Sequence, residues 1–129
     1  MENEPKTISQ ELIELHDADQ SDRSGDIDEV MERWQDIKEK DGERLKRVDY
    51  FYDNNLIKSA KDLFYAAMIY QHGGSAKYYE RAVELSRRSM ELGDEEGKWL
   101  FPRAEDRCLQ SIGKAQIWGT QFERGADGI

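Results

Sequence analysis

The chain has 129 residues, of which 37% are hydrophobic, and 28 Asp plus Glu against 19 Lys plus Arg give a formal net charge of −9. This composition supplies one modest core, so we expect a single domain over residues 1–129, and the acidic balance argues against nucleic-acid binding. The absence of a long apolar run and of a signal-peptide pattern predicts a cytoplasmic protein without membrane association, and a single cysteine, Cys108, rules out an internal disulfide.

The negative charge is concentrated near the N-terminus. Residues 1–30 contain ten acids and two bases, whereas residues 31–129 contain 18 and 17. Residues 1–18 are therefore predicted to form an acidic N-terminal helix or arm. Acidic segments with few aromatic residues are typically solvated or partly disordered.

The first half of the chain predicts two helical stretches. Thr7 and Gln10 form a capping-box pattern that begins a short helix, which we expect to end near Asp17. A loop is predicted over residues 20–26, and the apolar residues of 27–37 then recur every three or four positions, as in an amphipathic helix.

Gly42 is predicted to break this helix. A further apolar stripe follows it, formed by Leu45, Val48 and Tyr52. The pair Asn54-Asn55 tolerates a left-handed backbone conformation and is predicted to end the helix that carries this stripe.

Capping residues and glycines in the second half predict an αα-hairpin. Ser59 caps its first helix, which stops at the pair Gly73-Gly74. Ser75 begins the second helix, and Gly93 closes it. The two helices are joined by a short loop and therefore lie side by side.

A last helix is predicted from Asp94 to Gly113, interrupted by Pro102. Because proline lacks a backbone donor, the helix either kinks there or begins there. The aromatic segment after Gly113 is expected to pack on the helices, and residues 123–129 are expected to form a flexible tail. No segment alternates as a strand does, so the predicted fold is all-α. We expect a compact bundle of about five to six helices, tetratricopeptide-like at most in part.

His72 is the residue most typical of a catalytic group. It lies at a predicted helix C-terminus, where the carbonyl ends favour a protonated imidazole suited to proton transfer. The alternative is a helix-end residue satisfied by carbonyls or water. His16 and His72 have no metal-ligand spacing, so we predict neither a metal nor a cofactor.

Two further polar groups lie near the C-terminus. One residue of the pair Asp106-Arg107 must border the core, and a buried Asp needs a charged partner or several hydrogen bonds. A structural salt bridge that holds the tail is the alternative. The amides, hydroxyl and indole of residues 116–121 suit a polar pocket, or equally caps for helix ends.

Polar residues of this kind recur in five short elements along the chain. The elements contain, in order, Asp19, Gln20 and Arg23; Asp41 and Arg44; Ala66, Ala67, Gln71, His72 and Gly73; Trp99, Leu100, Asp106, Arg107 and Leu109; and Gly113, Lys114, Gln116, Gly119, Thr120 and Gln121. This pattern resembles that of a family of small bacterial all-helical proteins classed as a domain of unknown function. The segment Phe101-Pro102-Arg103 departs from the alanines that the family tends to place after Trp-Leu.

The resemblance implies an α-helical fold but supplies no established reaction. The polar character of the residues in this pattern favours a shared site, because a purely structural pattern would be mostly apolar with glycines. The alternative is a buried polar network that defines the fold.

The predicted function is a small metal-independent enzyme, or enzyme subunit, that uses acid/base chemistry on a small polar, anionic metabolite. Substitution, elimination or isomerisation in specialised biosynthesis would suit it. The predicted catalytic residues are His72, Asp106 and Asp19. His72 moves a proton, Asp106 orients it or acts as the base, and an arginine holds the anion. The predicted substrate-binding residues are Arg23, Arg107, Gln20, Gln71, Gln116, Thr120, Gln121, Asp41, Arg44 and Trp118.

An alternative function is an acidic helical interaction module, such as an immunity protein or adaptor that binds a basic protein partner. The net charge of −9 would speed that encounter by electrostatic steering. The enzyme hypothesis also makes a prediction about residues 1–24. If Asp19 and Arg23 belong to a site, removal of this segment is expected to abolish function and to leave most of the helix content.

Overall fold

A computed structural model describes residues 5–121, and this range contains six α-helices and no β-strand. The helices are α1 (Ile8–Asp22), α2 (Ile27–Glu32), α3 (Trp34–Asp53), α4 (Ala60–Tyr70), α5 (Ala76–Glu91) and α6 (Glu95–Ser111). The all-α prediction is confirmed, as is the number of helices. Within the described range, no helix has both the length and the apolar character needed to cross a membrane. The predicted tail, 123–129, lies outside the described residues.

Helix α1 begins as predicted but ends later. Both hydrogen bonds of the Thr7–Gln10 capping box are present. The helix continues to Asp22 rather than ending near Asp17. The loop predicted over 20–26 therefore begins later than expected, after Asp22. The reason is an ion pair in the last turn, in which Arg23 Nη1 lies 3.0 Å from Asp19 Oδ1. This i,i+4 contact stabilises the helical turn between the two residues.

The interruption between α2 and α3 falls at Arg33, and the predicted break at Gly42 is wrong. Gly42 lies inside α3, between the buried residues Asp41 and Arg44. These two side chains are three positions apart and form a 2.9 Å ion pair, which requires an unbroken helix through Gly42. The predicted end at Asn54-Asn55 is confirmed, because Asn55 adopts a φ of 57° just after α3.

The core lies between α4, α5 and α6, with α3 against α4. The most extensive packing joins α5 to α6 and α4 to α5, which confirms the predicted αα-hairpin. The side chains at its centre are fully buried or nearly so: Phe51, Leu63, Tyr70, Leu85 and Leu100. Leu12 adds α1 to this core, where α1 packs on α4. The C-terminal end of α1 is thereby held beside the C-terminal end of α4.

Helix α6 begins at its predicted cap and passes through the proline. The Asp94 carboxylate accepts a 2.9 Å hydrogen bond from the Gly97 amide. The helix then runs unbroken past Pro102, so a start at the proline is excluded. After Gly113, which has a φ of +78°, residues 114–121 are not helical, and hydrogen bonds to Asp106 hold them beside α6. The predicted packing of this segment on the helices is wrong for the side chains of Ile117 and Trp118, which are 65% and 54% exposed.

Candidate functional site

A cavity of about 300 Å³ lies where the C-terminal ends of α1 and α4 meet α3, α5 and α6. It is lined by Arg23, Trp34, Lys38, Gln71, His72, Gly74, Tyr79 and Arg107. Four of these were predicted site residues: Arg23, Gln71, His72 and Arg107. Five helices or their ends contribute residues to the lining. The cavity therefore exists only in the folded protein.

The His72 imidazole is oriented by a buried carboxylate. His72 Nδ1 lies 2.8 Å from Asp19 Oδ1, and Asp19 is 1% exposed. An ionised carboxylate only accepts hydrogen bonds. In this contact Nδ1 therefore carries the hydrogen atom and donates the hydrogen bond to Asp19. In the neutral ring, Nε2 is then the nitrogen with the free lone pair. Gln20 Nε2 fixes the same carboxylate from its other side by donating to Oδ2 at 2.8 Å.

Arg23 joins this pair to a second carboxylate. Its guanidinium donates to Asp19 at 3.0 Å and, through two nitrogens, to Asp41 at 3.0 and 2.6 Å. Arg44 completes the cluster with ion pairs to Asp41 at 2.9 Å and to Asp22 at 3.0 Å. Although burial opposes the charge of Asp41, the two guanidinium groups outweigh it and hold its pKa below the usual value.

Arg107 differs from Arg23 because its contacts are neutral. Its Nη1 donates to the Gln71 backbone oxygen at 2.9 Å, and its Nε donates to Gln121 Oε1 at 3.0 Å. Among residues 5–121, no carboxylate lies within ion-pair distance of Arg107. Burial, reinforced by the nearby charge of Arg23, lowers the pKa of Arg107, despite an opposing effect of Tyr79. Within residues 5–121, the positive charge of Arg107 at the cavity wall thus has no carboxylate partner.

Lys38 adds a further cation to the cavity wall. Lys38 Nζ lies 5.3 Å from the centroid of the Trp34 ring, and in the described part of the chain it forms no ion pair. The side-chain oxygen of Gln71 is buried away from the cavity surface and has no hydrogen-bond partner within 5–121. A bound molecule that carries an anionic group would match the cations of this wall.

Asp106 is fully buried but does not line the cavity. Its carboxylate accepts hydrogen bonds of 2.7–3.0 Å from the amides of Ile117, Trp118 and Thr120 and from the Thr120 hydroxyl. Burial alone would raise the pKa of Asp106, but these donors lower it. Hydrogen bonds, rather than the salt bridge considered as an alternative, thus hold residues 117–120 on α6.

The loop held by Asp106 leads back to Arg107. Gln116 Nε2 donates to the Gln121 backbone oxygen at 2.7 Å, and the Gln121 amide donates to Gln116 Oε1 at 2.9 Å. This pair closes the loop and presents the Gln121 side chain to Arg107. Trp118 is half exposed, and its indole donates to Glu105 at 2.8 Å.

The predicted residues therefore divide by their distance from the cavity. Asp19, Asp41 and Gln121 hydrogen-bond to groups in its wall. Six others support these groups or lie elsewhere: Gln20, Arg44, Asp106, Gln116, Trp118 and Thr120. Within residues 5–121, no three His, Cys, Asp or Glu side chains form a group suited to a metal ion.

The polar sequence pattern does not contain four of the wall residues, namely Trp34, Lys38, Gly74 and Tyr79. One signal was available, since Trp34 and Lys38 are four positions apart and must share one side of α3. Nothing in the sequence indicated that this side faces His72.

Comparisons of the chain with protein-family models, with curated proteins and with solved structures found no match. Interpretation of the site accordingly depends on its geometry.

Proposed function

We propose that the chain is a small acid/base enzyme that binds a polar anionic metabolite in the cavity beside His72. The observation that carries this proposal is the guanidinium of Arg107, which is partly buried at the cavity wall without a carboxylate partner among the described residues. Partial burial of a charge without a counterion is costly, and an anion that binds beside it recovers part of that cost.

The arrangement of cations supports recognition of an anion rather than a neutral ligand. Arg107 offers a planar fork that matches a carboxylate or phosphate, and Lys38 adds a mobile charge at the same cavity. Arg23 also lines the cavity, but Asp19 and Asp41 neutralise it. This concentration of positive charge is notable in a chain whose net charge is −9.

His72 is the proton-transfer group of this proposal. Asp19 fixes the ring through Nδ1, which leaves Nε2 to accept a proton from the bound molecule or to return one. An oriented imidazole beside an anion-binding fork suits elimination, isomerisation or substitution, the reaction classes expected from the sequence. Asp19 acts here by orienting His72.

We assign Asp106 to positioning instead of to the predicted role as a base. Its four hydrogen bonds shape residues 117–120, and Gln121 at the end of this loop contacts Arg107. The resemblance to the helical family remains part of the proposal. Three of the five sequence elements that carry the resemblance contribute residues to the cavity wall, and the last element contributes Gln121.

The first test is anion binding by titration calorimetry at constant ionic strength, with inorganic phosphate, sulfate and small hydroxycarboxylates. Lys38→Gln removes one exposed cation and is expected to weaken binding about three- to fivefold, the effect of a partly solvated charge pair. Lys46→Gln is the matched control, because Lys46 is exposed on the same helix and does not line the cavity. Equal effects of the two variants would contradict the proposed site.

The second test concerns His72. The hydroxycarboxylate that binds most tightly is incubated with the protein in D₂O, and exchange of its carbon-bound protons or its conversion is followed by NMR. His72→Gln is expected to retain binding and to lose at least about 100-fold in rate. His16→Gln, whose histidine packs on Tyr65 away from the cavity, should be unaffected. Full activity in His72→Gln would remove the proton-transfer role.

The interaction-module alternative makes the opposite prediction. In that case the small anions do not bind, and a complex with a basic protein associates more slowly as salt is added.

A further inference from the structure

A second cavity, of about 530 Å³, adjoins the first and shares two of its walls. It is lined by Arg23, Ile27, Val30, Met31 and Trp34, so Arg23 and Trp34 belong to both cavities. The Arg23 guanidinium carbon lies 5.8 Å from the centroid of the Trp34 ring, and this pair forms the shared boundary. A molecule seated on the cations of the first cavity can therefore extend over Trp34 into the second.

The second cavity is apolar apart from Arg23. Ile27 and Met31 are 50% and 55% exposed, four positions apart on the short helix α2. Val30, on the same helix, is buried beneath them. Two large apolar side chains exposed side by side are not needed to form the core, because α2 is anchored through Val30. Their exposure leaves an apolar surface that a ligand can cover.

We propose that the ligand of this protein is an amphiphilic anion, whose charged head binds beside Arg107, Lys38 and His72. Its alkyl or aryl group lies over Trp34 against Ile27 and Met31. This inference rests on the proposed function, since it takes the first cavity as the anion site. It adds that the substrate class is an apolar phosphate or carboxylate, and that affinity grows with the apolar group.

The charges around α2 favour a free molecule over a membrane surface. Asp26, Asp28, Glu29 and Glu32 are all exposed beside Ile27 and Met31. An anionic bilayer that approached this face would meet four carboxylates, which would oppose docking. A single amphiphile meets only the cationic cavity and the apolar groove.

The test is a chain-length series of alkyl phosphates, from methyl to octyl, titrated below the micelle concentration. Burial of a methylene stabilises binding by about 0.8 kcal/mol at most, so affinity should rise about two- to fourfold per methylene until the groove is filled. Alkyl carboxylates of the same lengths identify the preferred head group. The variants Ile27→Gln and Met31→Gln should flatten the series without changing the affinity for methyl phosphate.

Ile112→Gln is the matched control, because Ile112 is also 50% exposed but lies at the end of α6 and lines neither cavity. This variant should keep the wild-type slope. A slope that persists in Ile27→Gln and Met31→Gln would overturn the assignment of the groove.

The remaining outcomes separate this inference from the proposed function. If methyl phosphate binds and the series is flat, the apolar groove is refuted and the anion site stands. If no anion binds, both fall. Binding to phosphatidylserine vesicles that Met31→Gln abolishes would overturn the free amphiphile in favour of a lipid surface.

Discussion

Asp19 and Asp106 are both almost completely buried carboxylates, yet their partners give them different roles. Asp19 accepts from the side chains of His72, Arg23 and Gln20, whereas Asp106 accepts mainly from backbone amides. A contact to an imidazole can change with protonation, but a contact to backbone amides fixes the path of a loop. Both residues are aspartates of the same polar sequence pattern, and only their partners distinguish them.

Asp106→Asn tests the positioning role. The amide replaces one carboxylate oxygen by a donor that faces other donors, so we expect a loss of about 2–4 kcal/mol in the free energy of unfolding. Urea denaturation measures this loss. The amides of Ile117, Trp118 and Thr120 should also exchange faster with solvent in the folded state.

Glu105→Gln is the control for this substitution, since among residues 5–121 Glu105 accepts only from the Trp118 indole. It should cost less than about 1 kcal/mol. Unchanged stability and exchange in Asp106→Asn would show that the loop is held by other contacts.

The pH dependence of stability follows from Asp41, Asp94 and Asp106, whose pKa values all lie below the usual value in the folded protein. A carboxyl group whose pKa is lowered by folding stabilises the protein above the unfolded pKa of about 3.9. That stabilisation disappears as the pH falls through the lower, folded-state pKa. We therefore expect the free energy of unfolding to decline as the pH is lowered from about 4 toward 2.

Urea titrations between pH 2 and pH 7 measure this decline. Asp41→Asn should reduce it, because the variant has lost one of the groups that take up a proton on acid unfolding. A decline of wild-type size in Asp41→Asn would contradict the assignment.

At the scale of helices, sequence periodicity and capping residues located most elements but misplaced some boundaries, namely the end of α1, the interruption at Arg33 and the predicted break at Gly42. Caps at Thr7, Ser59 and Asp94 were correct because their signal is local, a side chain that accepts from an amide three residues on. The break at Gly42 was wrong because the deciding contact, a buried pair between Asp41 and Arg44, depends on which side of α3 faces the protein. Local propensity cannot report that orientation.

Alanine substitutions at two helical glycines, Gly97 and Gly42, are expected to change stability in opposite directions. A Cβ at Gly97 would overlap the Ser89 side chain and lie 2.8 Å from the Met90 amide nitrogen, where α5 crosses α6. Ser89 cannot easily yield, since it donates to the Ala60 carbonyl at 2.8 Å. We expect Gly97→Ala to destabilise the protein by about 1–3 kcal/mol, as overpacking does.

Gly42→Ala is the matched substitution in open space. A Cβ at Gly42 meets no atom within 4 Å, and the residue lies inside α3. Because alanine is the better helix former, we expect a gain of about 0.5–1 kcal/mol. Thermal and urea unfolding of the two variants measure both effects, and a destabilising Gly42→Ala would show that α3 is strained at this position.

For the whole molecule, the sequence predicted the site only in part because the site depends on how five helices or their ends converge. His72, Arg23 and Arg107 could be identified from the polar pattern, which marks unusual residues wherever they occur. Lys38 and Tyr79 resemble ordinary surface residues of amphipathic helices, and they reach the cavity only through the packing of α3 and α5. Such convergence is a tertiary property, which a one-dimensional pattern does not contain.

The same convergence changes the expected result of truncation. Removal of residues 1–24 was expected to leave most of the helix content, but Leu12 is fully buried in the core and Ser9 donates to Asp62 of α4 at 2.8 Å. The deletion also takes Arg23 away from the buried Asp41. We therefore expect the truncated chain to lose cooperative unfolding and much of its far-ultraviolet circular dichroism.

A neighbouring pair of substitutions tests this integral role of α1. Leu12→Ala should cost about 2–5 kcal/mol, as expected for a fully buried leucine, and Ile13→Ala, at a residue 38% exposed, should cost less than about 1 kcal/mol. Similar costs at both positions would mean that α1 packs loosely. If the costs differ as expected, loss of activity on truncation reports on the fold, and the role of α1 in the site must be measured by point substitutions such as Arg23→Gln.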